Sequence, residues 1–148
     1  MGGLKVLDLS DFLRGTWRLE REILDFSAAA RSGHFTGWAT FSPAAEVPGL
    51  LRYAEHGTVE LGSHRGPAVR RLGYHLDGPR GRVVFDDGRY FHDLDLRGGT
   101  WEVEHPCRAD HYRGRFEVDG HHRWRHEWVV TGPHKHHCIR TVLERAEP

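Results

Sequence analysis

The chain has 148 residues, with 21 Lys and Arg against 21 Asp and Glu, 38% hydrophobic residues and 11% aromatic ones. Balanced charge excludes the basic footprint of a nucleic-acid binder, and no stretch approaches the roughly 18 apolar residues of a membrane-spanning helix. The length suits a single domain, 1–148, whose core forms without disulfides or metal.

The opening MGGLKVLDLSDFLRG lacks the apolar run of a secretion signal and the Ser or Thr of a myristoylation motif, so the expected location is cytoplasmic, with Cys107 and Cys138 as free thiols. Ser10 is read as the cap of a short helix over Asp11–Arg14, ended by Gly15. Beyond it no helical period appears, although Ala28–Ala30 reads as a helical turn set within a loop.

The rest alternates with period two. In 17–23, Trp17, Leu19, Arg21 and Ile23 share one face. In 34–41 the inward set is Phe35, Gly37, Ala39 and Phe41. In 51–61 it is Leu51, Tyr53, Glu55, Gly57, Val59 and Leu61, and in 67–76 it is Ala68, Arg70, Leu72, Tyr74 and Leu76. The segment VFDDGRYF is a hairpin turning at Asp87-Gly88. It should pair Phe85 with Tyr90 and Val83 with His92, and so turn Tyr90, His92, Leu94 and Leu96 inward. In WEVEHPCRADHY, Trp101, Val103, His105 and Cys107 share a face, with Asp110 and Tyr112 just beyond. Then follow Tyr112, Gly114, Phe116 and Val118; Trp124, His126, Trp128 and Val130; and His137, Ile139, Thr141, Leu143 and Arg145. Trp101, Trp124 and Trp128 read first as core, and His121-His122 and the GPHKHH tract as solvated turns.

About ten short strands in succession with almost no helix predict an all-β fold: a single closed antiparallel up-and-down barrel, lipocalin- or calycin-like, with a short N-terminal helix. A two-sheet sandwich is the alternative. A barrel of eight to ten strands encloses room for one small ligand.

The inward set carries too many polar groups for a dry core. Arg21, Glu55, Arg70, His92, His105, Cys107, Asp110, Tyr112, His126, His137 and Arg145 must pair with one another or face water and a ligand, because an isolated buried charge costs several kcal/mol. Arg21–Glu55 and Arg70–Asp110 are the pairs to look for. Two chemistries fit a polar cavity. In the first, acid–base chemistry acts on a small polar or anionic organic molecule, without a cofactor. His92 or His105 is then the base, Asp110 and Tyr112 complete the catalytic set, and Arg70 or Lys135 clamps the anion. In the second, His92, His105 and Cys107 ligate zinc, copper or iron, or one inward His holds haem. The expected partner is a small-molecule ligand, with no nucleic acid and no membrane; a homodimer is left open. Passive binding of a ligand is a third reading.

Several strings in order, FLRGTW (12–17), GHFTGWATF (33–41), YAEHG (53–57), VFDDGRYFHDLDL (84–96), HPCRADHY (105–112), WVVTGPHK (128–135) and TVLER (141–145), resemble a family of small, mostly bacterial proteins of unknown function, domain of unknown function 6314. The resemblance spans nearly the whole chain and implies a lipocalin-like barrel with no established activity. It implies pocket roles for Tyr53, Glu55, Arg89, His92, His105, Cys107, Asp110, Tyr112 and Lys135. His136 stands where the family's pattern leads us to expect an acidic residue after that lysine. Arg21, Arg70, His126 and Trp128 join the ligand-binding set from the alternation alone.

Overall fold

The computed structural model describes residues 3–27 and 32–146, so the expected turn at Ala28–Ala30 lies outside the described residues. One short helix, α1 (Leu9–Leu13), is followed by ten strands: β1 (Gly15–Asp25), β2 (Gly33–Pro43), β3 (Leu50–Leu61), β4 (His64–Asp77), β5 (Arg80–Phe85), β6 (Tyr90–Asp95), β7 (Thr100–Cys107), β8 (Asp110–Gly120), β9 (Arg123–Thr131) and β10 (His136–Arg145). The strands form one antiparallel sheet in the order β6-β5-β4-β3-β2-β1-β10-β9-β8-β7. Pairing of β1 with β10 joins the two meanders and curls the sheet into a nearly closed barrel.

The remaining seam runs between β6 and β7, and side-chain and terminal-segment contacts bridge it. The Trp101 indole N–H donates to the Asp93 carbonyl at 2.9 Å. Below it the N-terminal segment crosses over, with Leu4 N–H on the Val118 carbonyl (2.9 Å) and Val6 N–H on the Leu96 carbonyl (3.1 Å). These bonds occupy strand-edge groups that would otherwise be open to another chain.

The helix starts two residues earlier than Ser10 capping allows. Asp8 is the cap, its carboxylate accepting from Asp11 N–H at 3.2 Å, and Leu9 begins the helix because its side chain is needed in the core, where it is fully buried. Ser10 instead accepts from the Arg14 guanidinium. The helix plugs one end of the barrel. Phe12 meets Trp17 at 5.6 Å between centroids and Trp124 at 6.4 Å, and the Trp17 indole donates to the Leu13 carbonyl. Arg145, expected in the cavity, belongs to this plug: its guanidinium lies 4.1 Å over the Trp17 ring and donates to the carbonyls of Phe12 and Arg14. A cation thus satisfies carbonyls that the helix end leaves open.

Inward side chains match the alternation on β1, β3, β8, β9 and β10, and the exception is β6. Phe85 N–H donates to the Arg89 carbonyl and Gly88 N–H to the Phe85 carbonyl, so the loop holds three residues and Phe85 faces Arg89 rather than Tyr90. Val84 then pairs with Tyr90 while Val83 still pairs with His92, and the spare residue, Phe91, forms a bulge. The bulge turns both Phe91 and His92 inward and leaves Tyr90 52% exposed.

Candidate functional site

Burial falls along the strands from the plugged end to the other. On β1, Trp17 and Leu19 are fully buried and Ile23 only partly; on β3, Leu51, Tyr53 and Glu55 are buried and Val59 and Leu61 partly. The same gradient runs down β8 and β10, so the second end is a mouth. Between dry plug and mouth lies a polar layer. On five strands the residue two positions beyond a buried apolar side chain is polar: Leu19 to Arg21, Tyr53 to Glu55, Leu72 to Arg70, Trp124 to His126, Leu143 to Thr141.

Arg21 and Glu55 pair as expected. Two guanidinium nitrogens reach the two carboxylate oxygens at 2.9 and 2.7 Å, the third nitrogen donates to Thr141 Oγ1 at 2.9 Å, and Tyr53 donates its hydroxyl proton to Glu55. Burial alone would raise the Glu55 pKa, but the Arg21 and Tyr53 donors outweigh it and hold the carboxyl below its usual range. Arg70 does not meet Asp110. It sits opposite Glu55 in the ladder, on the inner face, yet remains exposed, and among the described residues it holds no ion pair. Arg70 thus keeps its side chain in solvent at an inner-face position of β4.

The imidazoles are of two kinds. His92 is buried, with Nδ1 2.7 Å from the Asp93 carbonyl, so this nitrogen carries the proton and Nε2 is an acceptor. Burial pushes its pKa down to about 4. His126 is also held well below its usual value, first by burial and then by the charges of Arg21 and Arg70. Its Nδ1 is buried with no hydrogen-bond partner among the described residues, although buried polar atoms are almost always paired.

An aromatic wall faces this layer. Phe85 stacks on Phe91 at 4.5 Å and Phe91 on Trp128 at 5.2 Å with a 17° interplanar angle. His92 packs against Phe116 and Trp128. Trp128 lies flat because Gly114 opposes it: a Cβ there would come within 2.9–3.0 Å of the indole carbons.

His105, Asp110, Tyr112, Cys107 and Lys135 gather at the mouth instead. His105 opposes Tyr112 and Cys107 opposes Asp110 in the ladder. Lys135 pairs with Asp110 at 3.0 Å, and the Asp110 carboxylate lies against Gly132, where any Cβ would overlap it. Two sequence motifs far apart in the chain, HPCRADHY and GPHK, thus meet through one carboxylate. Lys135 is not a free anion clamp. Arg89 is exposed on the hairpin tip, paired with Asp87 and over the Phe85 ring at 5.4 Å.

The four acid–base residues of the sequence reading therefore divide, with His92 deep and His105, Asp110 and Tyr112 at the rim. The bulge explains it, since Phe91 places its ring against both His92 (4.7 Å) and His105 (5.7 Å). Among the described residues no three His, Cys, Asp or Glu side chains come together as a metal requires, so His92, His105 and Cys107 do not assemble. Phe91 was missed because alternation placed it outside; only the three-residue loop, with Gly88 at its end, signals the bulge.

A concavity of about 670 Å³ lies over β7–β10, lined mostly by outward residues and also by Trp101, Phe116, His126 and Thr141 of the inward set. Its charges are mutually satisfied: Arg115 with Glu102, Arg125 with Glu117 and Arg140 with Glu127. We place the site in the barrel, where cation and imidazole are not.

The family model of DUF6314, a family of unknown function, matches residues 13–145. The chain belongs to this family. No curated protein matches it in sequence. Among solved structures it is similar to the S-type phycobiliprotein lyase CPES from Guillardia theta, at 11% identity and a TM-score of 0.63, over 93% of this chain and 90% of that one. It is also similar to EF1p2_mFAP2b bound to DFHBI, at 12% identity and a TM-score of 0.50, over 96% of this chain and all of the other. At such identities the likeness concerns the fold. No helix among the described residues is long and apolar enough to cross a membrane.

Proposed function

We propose that this DUF6314 barrel binds one small organic molecule in its lumen, with a flat ring against the Phe91–Trp128 wall. The observation that carries the reading is Arg70: inward in register, in mid-strand, and yet exposed. A packed barrel would bury or pair it. The unpartnered His126 Nδ1 supports the same reading. A ligand of the barrel type is also compatible with the fold, since EF1p2_mFAP2b of similar architecture is bound to DFHBI.

Binding fits this geometry better than acid–base turnover. A general base works best with a pKa near the operating pH, and burial holds His92 far below that. His92 then serves as a hydrogen-bond acceptor through Nε2. His105 and Tyr112 stand where a ligand enters.

The test is a titration of the uniformly ¹⁵N-labelled protein with 2-naphthoate. Saturable shifts at one equivalent, centred on β4, β6, β8 and β9 and lost in Gly114→Val, support the reading. Shifts confined to the outer face of β7–β10, or none that saturate, overturn it.

A further inference from the structure

We infer that the lumen is matched to a monoanion: an aromatic or conjugated carboxylate whose acid group lies between Arg70 and His126 while its ring packs against the edges of the Phe91–Trp128 stack. The inference rests on the lumen-binding reading above and names the ligand class.

The argument begins with charge. The titratable groups facing the deep lumen are Arg21, Tyr53, Glu55, Arg70, Tyr74, His92 and His126. Arg21 and Glu55 cancel in a bidentate pair. Both phenols stay protonated, because burial raises them. Both imidazoles stay neutral at pH 7, because burial lowers them. One charge is left over, the guanidinium of Arg70, which lies within electrostatic reach of Glu55, Tyr74, His92 and His126. A neutral occupant would strip water from that cation without replacing it. A dianion would bring one negative charge more than the lumen can match.

Hydrogen bonding points the same way. His126 Nδ1 is buried and has no partner among the described residues. A carboxylate has two oxygens with about four acceptor sites, enough for a guanidinium and an imidazole N–H together. Arg21 is already neutralised by Glu55, which takes one N–H from each of its terminal nitrogens, while its Nε–H goes to Thr141. Lys135 is likewise paired, with Asp110 at the mouth. The stack Phe85–Phe91–Trp128 has its buried ring, Phe91, between two half-buried ones. Its ring edges are what it offers a flat molecule, since the neighbouring rings and Gly114 cover the faces of Phe91 and Trp128.

The experiment is calorimetric titration of the full-length protein with two matched pairs: 2-naphthoate against 2-naphthamide, and biphenyl-4-carboxylate against its amide. Each carboxylate should bind at one site, about tenfold or more tighter than its amide, as a charge-assisted hydrogen bond requires. Arg70→Gln should erase that difference by weakening the carboxylates far more than the amides. The position is exposed, so the variant should melt like the parent. His126→Phe, which keeps Arg70, should weaken the carboxylates several-fold and the amides less. Equal binding of acid and amide, or a preference that survives Arg70→Gln, overturns the monoanion and leaves lumen binding standing. Binding of neither member of either pair by the folded parent overturns lumen binding itself, and the monoanion with it.

Discussion

Replacing Glu55 by Leu should destabilise the protein severely, and replacing Arg21 as well should largely restore it. The Arg21 side chain is 11% exposed and the Glu55 side chain 3%, so both charges have left water. Removing the carboxylate strands a guanidinium against Phe35, whose ring lies 5.4 Å away, and also deprives Tyr53 of its acceptor. Breaking a buried pair from one side costs about 3–5 kcal/mol. For 148 residues the unfolding entropy is about 0.3 kcal/mol/K, so the melting temperature should fall by about 10–16 °C. The double variant Arg21→Met/Glu55→Leu removes both desolvation penalties and should lie within about 2 kcal/mol of the parent, the residue of the cost being the Tyr53 hydroxyl. Chemical denaturation of the parent, both single variants and the double closes the cycle. A cost below about 1 kcal/mol for Glu55→Leu alone would refute the reasoning, since it would mean that water reaches Arg21 and the pair is an ordinary surface bridge. The pair also sets an acid limit. The folded Glu55 titrates below its ordinary value of 4.5, so its stabilisation is complete above that pH and drains away as pH falls through the lower folded value.

Other consequences can be measured separately. His92 titrates near 4 when folded and 6.5 when not, so the unfolded chain takes up the proton first. Stability is then complete above pH 6.5 and declines towards pH 4 by about 3 kcal/mol from this residue; melting curves of His92→Gln should show a shallower acid decline, with the remainder owed in part to His126. Gly114→Val should push the Trp128 indole off its seat and destabilise by about 1–3 kcal/mol, with a changed tryptophan emission spectrum; an unchanged spectrum would mean that Trp128 does not rest on Gly114. Arg145→Met should cost about 1–3 kcal/mol by freeing the helix-end carbonyls and the Trp17 face, and amide exchange should quicken in α1 before it does in the strands. Asp110→Asn should leave the melting temperature nearly unchanged, because its bond to Lys135 is solvent-exposed, and should raise the salt sensitivity of ligand entry.

The sequence carried much of this architecture because each strand has a strong apolar anchor. Trp17 and Leu19, Tyr53, Phe116 and Trp124 each force one face inward, and that choice carries Arg21, Glu55 and His126 along at the next inward position. The Arg21–Glu55 pair was legible for the same reason: both sit two residues beyond such an anchor, on strands that meet through β2. What failed was local or long-range in a way that alternation cannot register. Phe85 faces Arg89 rather than Tyr90, the resulting one-residue shift became a bulge at Phe91, and the aromatic wall gained a ring that period two had put in solvent. Asp110 was matched with Arg70 on charge alone. In the fold it lies at the start of β8, where the β9–β10 turn brings Gly132 and Lys135 to it. The helix cap moved from Ser10 to Asp8 because burying Leu9 outweighed the choice between two comparable caps.

The polar layer has a cost that says what it is for. Five inward positions, one on each of five strands, hold Arg21, Glu55, Arg70, His126 and Thr141 where an apolar side chain would continue the core laid down by Leu19, Tyr53, Leu72, Trp124 and Leu143. Each fully buried apolar side chain stabilises by about 1.5–3 kcal/mol. Five of them rival the whole stability of a domain, about 5–15 kcal/mol. Two of the five, Arg21 and Glu55, satisfy one another, and Thr141 joins them, so that trio can be read as a structural network. Arg70 and His126 cannot. One is a cation in solvent on the inner face and the other a buried nitrogen without a partner among the described residues, on strands β4 and β9 from opposite halves of the sheet. A single carboxylate between them answers both, and that is why these two positions, rather than the imidazole pair His92 and His105, are where the function of this barrel should be sought.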